Sequence, residues 1–290
     1  MCATFQFQEL IDRALNEDIG SGDLSTRILP EKLTGLAKIY AKQKGVVAGL
    51  QLVEQIFQRL DTRISVHRLL NDGDEVKVGE VVLELSGPLS SILQGERTAL
   101  NFLQHLSGIA TATKRAVDKV AGLSVSIVDT RKTLAGWRTL QKYAVRVGGG
   151  QNHRFGLYDA VMLKDNHLAA VGGLTESVRR IKAQVGHMIK IEVECETIEQ
   201  VQEAIACGVD VIMLDNMDLI EMRAAVQYID RRAIVEASGG MGEERLREVA
   251  ETGVDLISIG ALTHSVQALD FSLDLGDIKA STRASWERGI

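Results

Sequence analysis

Five basic side chains are concentrated in one short stretch of a chain whose formal net charge is −6. They are Arg131, Lys132, His153, Arg154 and Lys164. A solvated basic face would carry such charges at helical spacing, whereas these lie in Gly-rich connections and at the ends of apolar runs. Guanidinium forks match the two oxygens of a carboxylate. The pattern therefore predicts a pocket that binds small anions.

Acidic and small residues end the later apolar runs. Glu194 and Asp215 follow neighbouring runs, and such a carboxylate pair suits a Mg²⁺ ion or ribose hydroxyls. The last two runs end in ASGGM and SIGAL, where free backbone N–H groups could hold a phosphate. The predicted ligands therefore include carboxylates, a phosphate and a group chelated by metal.

Other polar residues in this region have simpler interpretations. Arg138, Lys142 and Arg146 recur every four residues and are interpreted as a solvated helix face. His264 follows Gly260 and could either contact a phosphate or cap a helix. The segment 165–167 could equally be a helix cap with a core histidine.

The composition excludes several classes of protein. With 45% hydrophobic and 25% charged residues, the 290-residue chain is typical of a globular protein. Its acidic balance argues against nucleic-acid binding, and no apolar run approaches a membrane span. The N-terminus lacks a secretory signal, and the three cysteines have no metal-site spacing. We therefore expect a cytoplasmic protein without membrane or nucleic-acid partners.

The first part of the chain predicts mixed α and β structure. Residues 8–20 have a helical apolar face, and short β-like pieces between residues 37 and 85 surround the hairpin signal NDGDEVKVGE. This part is similar to the small β-sandwich of lipoyl and biotinyl carriers, but it lacks their Met-Lys pair. A long helix is predicted over residues 93–120, and Arg97 taken alone is interpreted as a surface arginine.

From residue 122 onward, six apolar strand-like runs alternate with helical segments. This βα rhythm favours a parallel β/α barrel, whose functional face is the rim where the strands end. There is no G-x-G-x-x-G, which argues against dinucleotide binding. The rim is predicted to collect the residues above together with Asp129, Asp165, Asn166 and Glu192.

Several ordered motifs resemble one family across nearly the whole chain. They include GERTALNFLQHLSGIAT, DTRKTLAGWRTLQKYAVRVGGGQNHRFGLYDAVMLKDNH, IEVECET, VDVIMLDN, EASGG and GVDLISIGALTHS. The family is quinolinate phosphoribosyltransferase, also called carboxylating nicotinate-nucleotide pyrophosphorylase, a pentosyltransferase. The resemblance implies that quinolinate and phosphoribosyl pyrophosphate, with Mg²⁺, give nicotinate mononucleotide, pyrophosphate and CO₂ in de novo NAD biosynthesis.

The resemblance also implies an architecture. We expect an N-terminal α/β domain of open-sandwich type over residues 1–118, to which roughly 270–290 returns. An incomplete seven-stranded parallel β/α barrel should span residues 119–269. The family is expected to form a homodimer, possibly a larger assembly, in which Arg97 of one subunit reaches the neighbouring site.

Matching motifs carry the family's site residues onto this chain. The quinolinate-binding positions correspond to Arg97, Arg131, His153, Arg154 and Lys164. The positions near phosphoribosyl pyrophosphate correspond to Lys132, Glu194, Asp215, Ser238, Gly239, Gly240, Gly260 and His264. Lys132, Lys164, Glu194 and Asp215 are the expected catalytic residues, with Mg²⁺ held mainly through the substrate near Glu194 and Asp215. Ala135 departs from the pattern, because the family usually has proline there.

Two alternatives stay open on the sequence. A barrel enzyme of the aldolase kind would use Lys164 as a Schiff-base amine. A non-catalytic relative would bind anions only, as does the related chain associated with molybdenum uptake. For the expected reaction, Lys164 or water is the hypothetical proton donor after decarboxylation.

Overall fold

The computed structural model describes residues 7–30 and 32–275, which divide into two compact units. The first unit contains residues up to Ala112 together with those from Val266 onward, and the second spans Thr113–Ser265. The expected limits were 118 and 269, so both divisions fall slightly earlier than expected. Of the predicted return over 270–290, the part after residue 275 lies outside the described residues.

The first unit is built on a four-stranded antiparallel sheet of order β12-β1-β5-β3. The predicted first helix is confirmed as α1, and the predicted long helix is confirmed as α3, which begins four residues earlier than expected. The elements are α1 (Gln8–Ile19), a 3-10 turn (Ser25–Ile28), β1 (Thr34–Ala41), β2 (Gly45–Val46), α2 (Leu50–Leu60), β3 (Ser65–Arg68), β4 (Glu75–Val76), β5 (Val81–Pro88), α3 (Leu89–Lys119) and β12 (Phe271–Asp274).

One face of this sheet is the core of the first unit. Ala37, Ile39 and Ala41 alternate along β1 and are fully or almost fully buried, as the two-residue period of a strand requires. In α2, Val53 and Ile56 are fully buried. The unit therefore has an apolar core of its own.

The second unit is a six-stranded parallel sheet with helices between its strands. All six predicted runs form strands. The elements are β6 (Ser126–Val128), α4 (Arg138–Val147), β7 (Val161–Leu163), α5 (Asp165–Val171), α6 (Leu174–Lys182), β8 (Ile191–Cys195), α7 (Ile198–Ala206), β9 (Val211–Asp215), α8 (Leu219–Ile229), β10 (Ile234–Ser238), α9 (Leu246–Ala250), β11 (Leu256–Ser258) and α10 (Ala261–His264).

The strand order β6-β11-β10-β9-β8-β7 is that of a barrel left open between β6 and β7. The predicted fold class, an incomplete parallel β/α barrel after a small α/β domain, is confirmed. Where the resemblance implies a seventh strand, the described residues contain a single parallel bridge between Val128 and Gln151. The connection after α4 therefore runs along the open edge beside β6.

Local sequence explains how the helices start. Thr197 caps α7 by accepting the N–H of Gln200, and Asp218 caps α8 by accepting the N–H groups of Ile220 and Glu221. Both caps satisfy N–H groups that a helix cannot pair internally. No helix in the described part of the chain is long and apolar enough to cross a membrane.

Gly108 in α3 tests the packing of the first unit. A Cβ at this position would lie 2.3 Å from the carbonyl oxygen of Gln267. We expect Gly108→Ala to lower the free energy of unfolding by about 1–3 kcal/mol, since backbone must move to admit the methyl group. Chemical denaturation measures the change. In the matched control Gly186→Ala, no atom lies within 4 Å of the added Cβ, and equal losses in both variants would contradict the packing described.

Candidate active site

A cavity of about 780 Å³ opens where the strands of the second unit end. It is lined by residues at the ends of all six strands and by the loop before β7. Those of the predicted site residues that line it are Arg131, Lys132, His153, Arg154, Lys164, Glu194, Asp215, Ser238, Gly239, Gly240, Gly260 and His264. Residues far apart in the sequence thus meet at one rim, as the βα connectivity dictates.

Two arginines form the basic side of the cavity. The Nε atoms of Arg131 and Arg154 are buried and have no hydrogen-bond partner among the described residues. Arg154 is fixed by its Nη1, which donates to the carbonyl of Ala160 at 2.9 Å. Burial, reinforced by the charge of Arg131, lowers the pKa of Arg154. Two closely spaced guanidinium groups with spare donors are suited to a dianion.

A buried ion pair supports this basic side from below. Lys142 in α4 contacts the carboxylate of Asp129, and both side chains are fully buried. Asp129 also accepts the backbone N–H of His153 at 2.9 Å and the side-chain amide of Asn152 at 2.6 Å. Desolvation opposes the charge on each partner, raising the pKa of Asp129 and lowering that of Lys142. The pair therefore ties the 152–154 loop to β6 and α4.

The predicted solvated helix face is wrong for two of its three members. Lys142 points inward to Asp129, and its amine also donates to the carbonyl of His153 at 2.9 Å. Arg138 is half-buried and donates to Thr133 at 3.0 Å and to the carbonyl of Phe155 at 2.9 Å. Arg146 is exposed, as predicted. Helical spacing alone did not distinguish the inward side of α4 from its solvent side.

The acidic side of the cavity lies on β8 and β9. Lys164 donates to Glu194 Oε2 at 3.0 Å, which gives this strand-end lysine the anionic partner that its position required. Asn216 has a left-handed backbone (φ 56°), and its side-chain amide donates to Asp215 at 2.8 Å. The two carboxylates therefore face the cavity, each with one oxygen engaged by a neighbouring donor.

Glycines shape the opposite wall. Gly239 has φ +97°, and a Cβ there would lie 2.2 Å from Asn216 Oδ1. A Cβ on Gly260 would lie 3.0 Å from Cδ of Lys132. Thr263 fixes the Lys132 backbone by donating to its carbonyl at 2.8 Å. Glycine is therefore required by the backbone conformation and the close contact at position 239, whereas a Cβ at position 260 would need the side chains of Lys132 and His264 to shift slightly.

His153 lies over two buried glutamates inside the barrel. Its Nε2 is 3.1 Å from Glu192 Oε2 and 3.4 Å from Glu236 Oε2. Burial opposes a charge on the ring, but the two neighbouring carboxylates outweigh it and raise the pKa of His153 to about 10. Burial also raises the pKa of Glu192.

Comparison with known proteins identifies the family. The sequence model described as "Quinolinate phosphoribosyl transferase, C-terminal domain" matches residues 109–274, and the corresponding N-terminal domain model matches residues 23–107. The chain belongs to the quinolinate phosphoribosyl transferase family.

Relatives agree with this assignment over almost the full length. A Bacillus subtilis (strain 168) protein, named as a probable carboxylating nicotinate-nucleotide pyrophosphorylase, is 46% identical over 93% of each chain. A mitochondrial decarboxylating quinolinate phosphoribosyltransferase of Nicotiana glauca is 40% identical, over 94% of this chain and 83% of its own. The crystal structure of NadC from Streptococcus pyogenes has a TM-score of 0.91 and 41% identity, covering 93% of this chain and 96% of its own.

Some residues expected at the rim of this phosphoribosyl transferase lie elsewhere. Asp129 is buried beneath the loop, and Glu192 lies under His153. Asp165 and Asn166 begin α5, where His167 Nδ1 accepts the N–H of Lys164 as a helix cap. Arg97 is exposed on α3 in the first unit. Asp129 and Glu192 therefore support the rim from below, and Asp165 and Asn166 belong to a helix. The role of Arg97 stays a prediction.

Sequence reasoning missed the inner layer of the cavity. Met162, Met213, Glu236 and Ser258 line it and are here called the cavity floor. Each precedes a rim residue by two positions, so the period of a strand places it on the same inward face. That period was the signal available for Glu236, which lies two residues before Ser238.

Alanine at position 135 leaves the loop after Lys132 ordered by other means. The N–H of Leu134 donates to Gln141 Oε1 at 2.8 Å, and the N–H of Trp137 closes a turn onto the carbonyl of Leu134 at 3.2 Å. Gln141 is fully buried and also donates to the carbonyl of Thr263 at 3.0 Å. These bonds fix the loop without the ring of a proline.

Replacing Lys142 tests the support beneath the site. Lys142→Met leaves Asp129 as a buried carboxylate without its cation, and we expect a loss of about 3–5 kcal/mol in the free energy of unfolding. Urea denaturation measures it. Arg146→Met, on the exposed side of α4, is the control and should change stability by no more than about 0.5 kcal/mol. Similar small effects at both positions would show that the buried pair is dispensable.

Proposed function

We propose that this chain transfers the phosphoribosyl group of phosphoribosyl pyrophosphate to quinolinate, with loss of CO₂, giving nicotinate mononucleotide and pyrophosphate. Family membership and the names of the relatives support this proposal. One structural observation supports it further: a single cavity combines a cationic wall, an acidic pair and two glycine-rich loops. Those three features correspond to a dicarboxylate, a ribose and a phosphate.

The cationic wall is the proposed quinolinate site. Arg131 and Arg154 offer unpaired buried donors to one carboxylate, and Lys164, which follows β7, lines the same cavity. Binding by several cations explains a requirement for two carboxylates on the substrate, because each ionic contact loses its partner when one is missing. The positive charge of the cationic wall thereby matches the negative charge of the substrate.

The acidic pair and the glycine loops form the proposed binding site for phosphoribosyl pyrophosphate. Ser238, Gly239 and Gly240 follow β10, and Gly260 follows β11, so their backbone N–H groups can receive the 5′-phosphate. His264 lies at the same wall and Lys132 beside Gly260. The carboxylate oxygens of Glu194 and Asp215 are suitable ligands for Mg²⁺. These two residues would hold the ion together with the pyrophosphate. The bound ion would neutralise charge on that leaving group.

The proposed reaction relies on positioning and electrostatics. The pyridine nitrogen attacks the anomeric carbon as the pyrophosphate bond breaks, and Glu194 and Asp215 stabilise the positive charge that develops on the ribose. Lys132 balances charge on the departing pyrophosphate. The quaternised ring then accepts the electron pair left by CO₂, and a proton from Lys164 or water completes the product.

A Schiff-base role for Lys164 has less support. Its amine donates to the carboxylate of Glu194, and 45% of its side chain is exposed to solvent. Schiff-base lysines are activated by desolvation in an apolar pocket or by another cation close by. Its surroundings favour binding of an anion.

The proposal includes a homodimer and a cytoplasmic location. Arg97 is exposed on α3 and is proposed to reach the cavity of a second protomer. Cys195 is a free thiol whose burial raises its pKa to about 12, and Cys207 is also free. Free thiols are maintained in reducing compartments.

Release of CO₂ tests whether the protein catalyses the proposed reaction. The purified protein should release labelled CO₂ from carboxyl-labelled quinolinate only when phosphoribosyl pyrophosphate and Mg²⁺ are both present. Chelation by EDTA should abolish the release and added Mg²⁺ should restore it, because the leaving group then regains its counter-ion. Binding of quinolinate without any CO₂ release under these conditions would instead favour the anion-binding alternative.

The shared site is tested by mixing two inactive variants. Arg97→Ala and Lys132→Ala should each lose nearly all activity. After co-refolding, about half of the dimers are hybrids, and each hybrid contains one site with both residues intact, so about a quarter of wild-type activity should return. Each variant refolded alone is the control. No recovery despite demonstrated hybrid dimers would exclude the shared site.

A further inference from the structure

His153 contacts two buried glutamates, and what we infer from this contact rests on the proposed function. His153 is 12% exposed at its side chain, whereas Glu192 and Glu236 are 5% and 1% exposed. Both oxygens of Glu236 lack a hydrogen-bond partner among the described residues, as does Oε1 of Glu192. Barrel interiors usually pack apolar side chains at such positions, so two buried carboxylates here require an explanation.

The ring nitrogens of His153 are both used within the protein. The backbone N–H of Arg154 donates to Nδ1 at 2.7 Å, and Nε2 faces Glu192 and Glu236. A nitrogen that accepts an N–H bears no proton, so the ring proton is assigned to Nε2. This assignment also excludes a metal ion at Nε2, since its lone pair is not available there.

The two neighbouring carboxylates raise the pKa of His153 and favour a second proton on the ring, whereas the hydrogen bond at Nδ1 leaves room for only one ring proton. The hydrogen bond is the stricter constraint, because a second proton on Nδ1 would place two donors face to face at 2.7 Å. The carboxylates therefore act by holding a proton at Nε2.

We propose that Glu236, together with Glu192, is a positioning residue that keeps His153 in the Nε2–H tautomer and thereby fixes Arg154 for quinolinate. The Nδ1 acceptor then holds the Arg154 backbone, while the carbonyl of Ala160 holds its guanidinium. His153 thereby contributes to the diacid site through Arg154, and its own contact with quinolinate stays a prediction.

The tautomer is measured without any assay of activity. Nitrogen-15 NMR of histidine-labelled wild-type protein at neutral pH distinguishes protonated from unprotonated ring nitrogens, and a His153→Asn sample identifies the signals. We expect His153 to show a protonated Nε2 and an unprotonated Nδ1. A ring protonated on Nδ1, alone or together with Nε2, would overturn the proposal whatever reaction the protein catalyses.

Kinetics of Glu236→Gln and Glu192→Gln test the consequence for Arg154. Removing either charge weakens the acceptor that holds the proton at Nε2, and we expect the KM for quinolinate to rise about 10-fold, while kcat and the KM for phosphoribosyl pyrophosphate change less than about twofold. Glu248→Gln, an exposed glutamate on α9, is the control and should match wild type. An unchanged quinolinate KM, or equal losses in all three constants, would refute the positioning role. Inactive wild-type protein would refute the proposed reaction instead.

Discussion

The buried contact between Lys142 and Asp129 is the interaction on which the site depends. The barrel is open between β6 and β7, so the 152–154 loop beside β6 is held by a single backbone bridge at Gln151 and by side chains. Asp129 supplies two of those side-chain bonds, accepting from Asn152 and from the backbone N–H of His153. It also contacts Lys142, whose amine donates to the carbonyl of His153. The buried ion pair holds this loop where the sheet hydrogen bonds end. Removing either partner would leave an unpaired buried charge and destabilise the fold.

The parallel sheet explains how cations and carboxylates are distributed around one cavity. Cations come from the β6 end, the following loop and β7, whereas Glu194 and Asp215 come from β8 and β9. Glycine loops follow β10 and β11 on the remaining wall. Each strand end contributes its rim residue to a different part of the cavity, and the two charges meet where Lys164 donates to Glu194 at 3.0 Å.

The sequence predicted the outer layer of this arrangement better than the inner one. Strand ends were visible as apolar runs closed by polar residues, so the rim residues could be named from their positions alone. Lys142 was misassigned because its four-residue spacing from Arg138 and Arg146 resembles a solvent face, and only the tertiary contact with Asp129 shows which side of α4 is buried. Glu236 was missed because the strand containing it is otherwise apolar, although its two-residue spacing from Ser238 pointed to the same face.

The buried glutamates also affect how the cavity accommodates its two arginines. Arg131 and Arg154 lie close enough for the charge of Arg131 to lower the pKa of Arg154, and burial lowers it further, while Glu192 opposes both effects. Without negative charge nearby, two partly desolvated guanidinium groups would repel each other and turn toward solvent. Glu192, one layer deeper, supplies such charge without forming a hydrogen bond to Nε of Arg154. The two arginines therefore keep buried Nε groups that have no hydrogen-bond partner among the described residues.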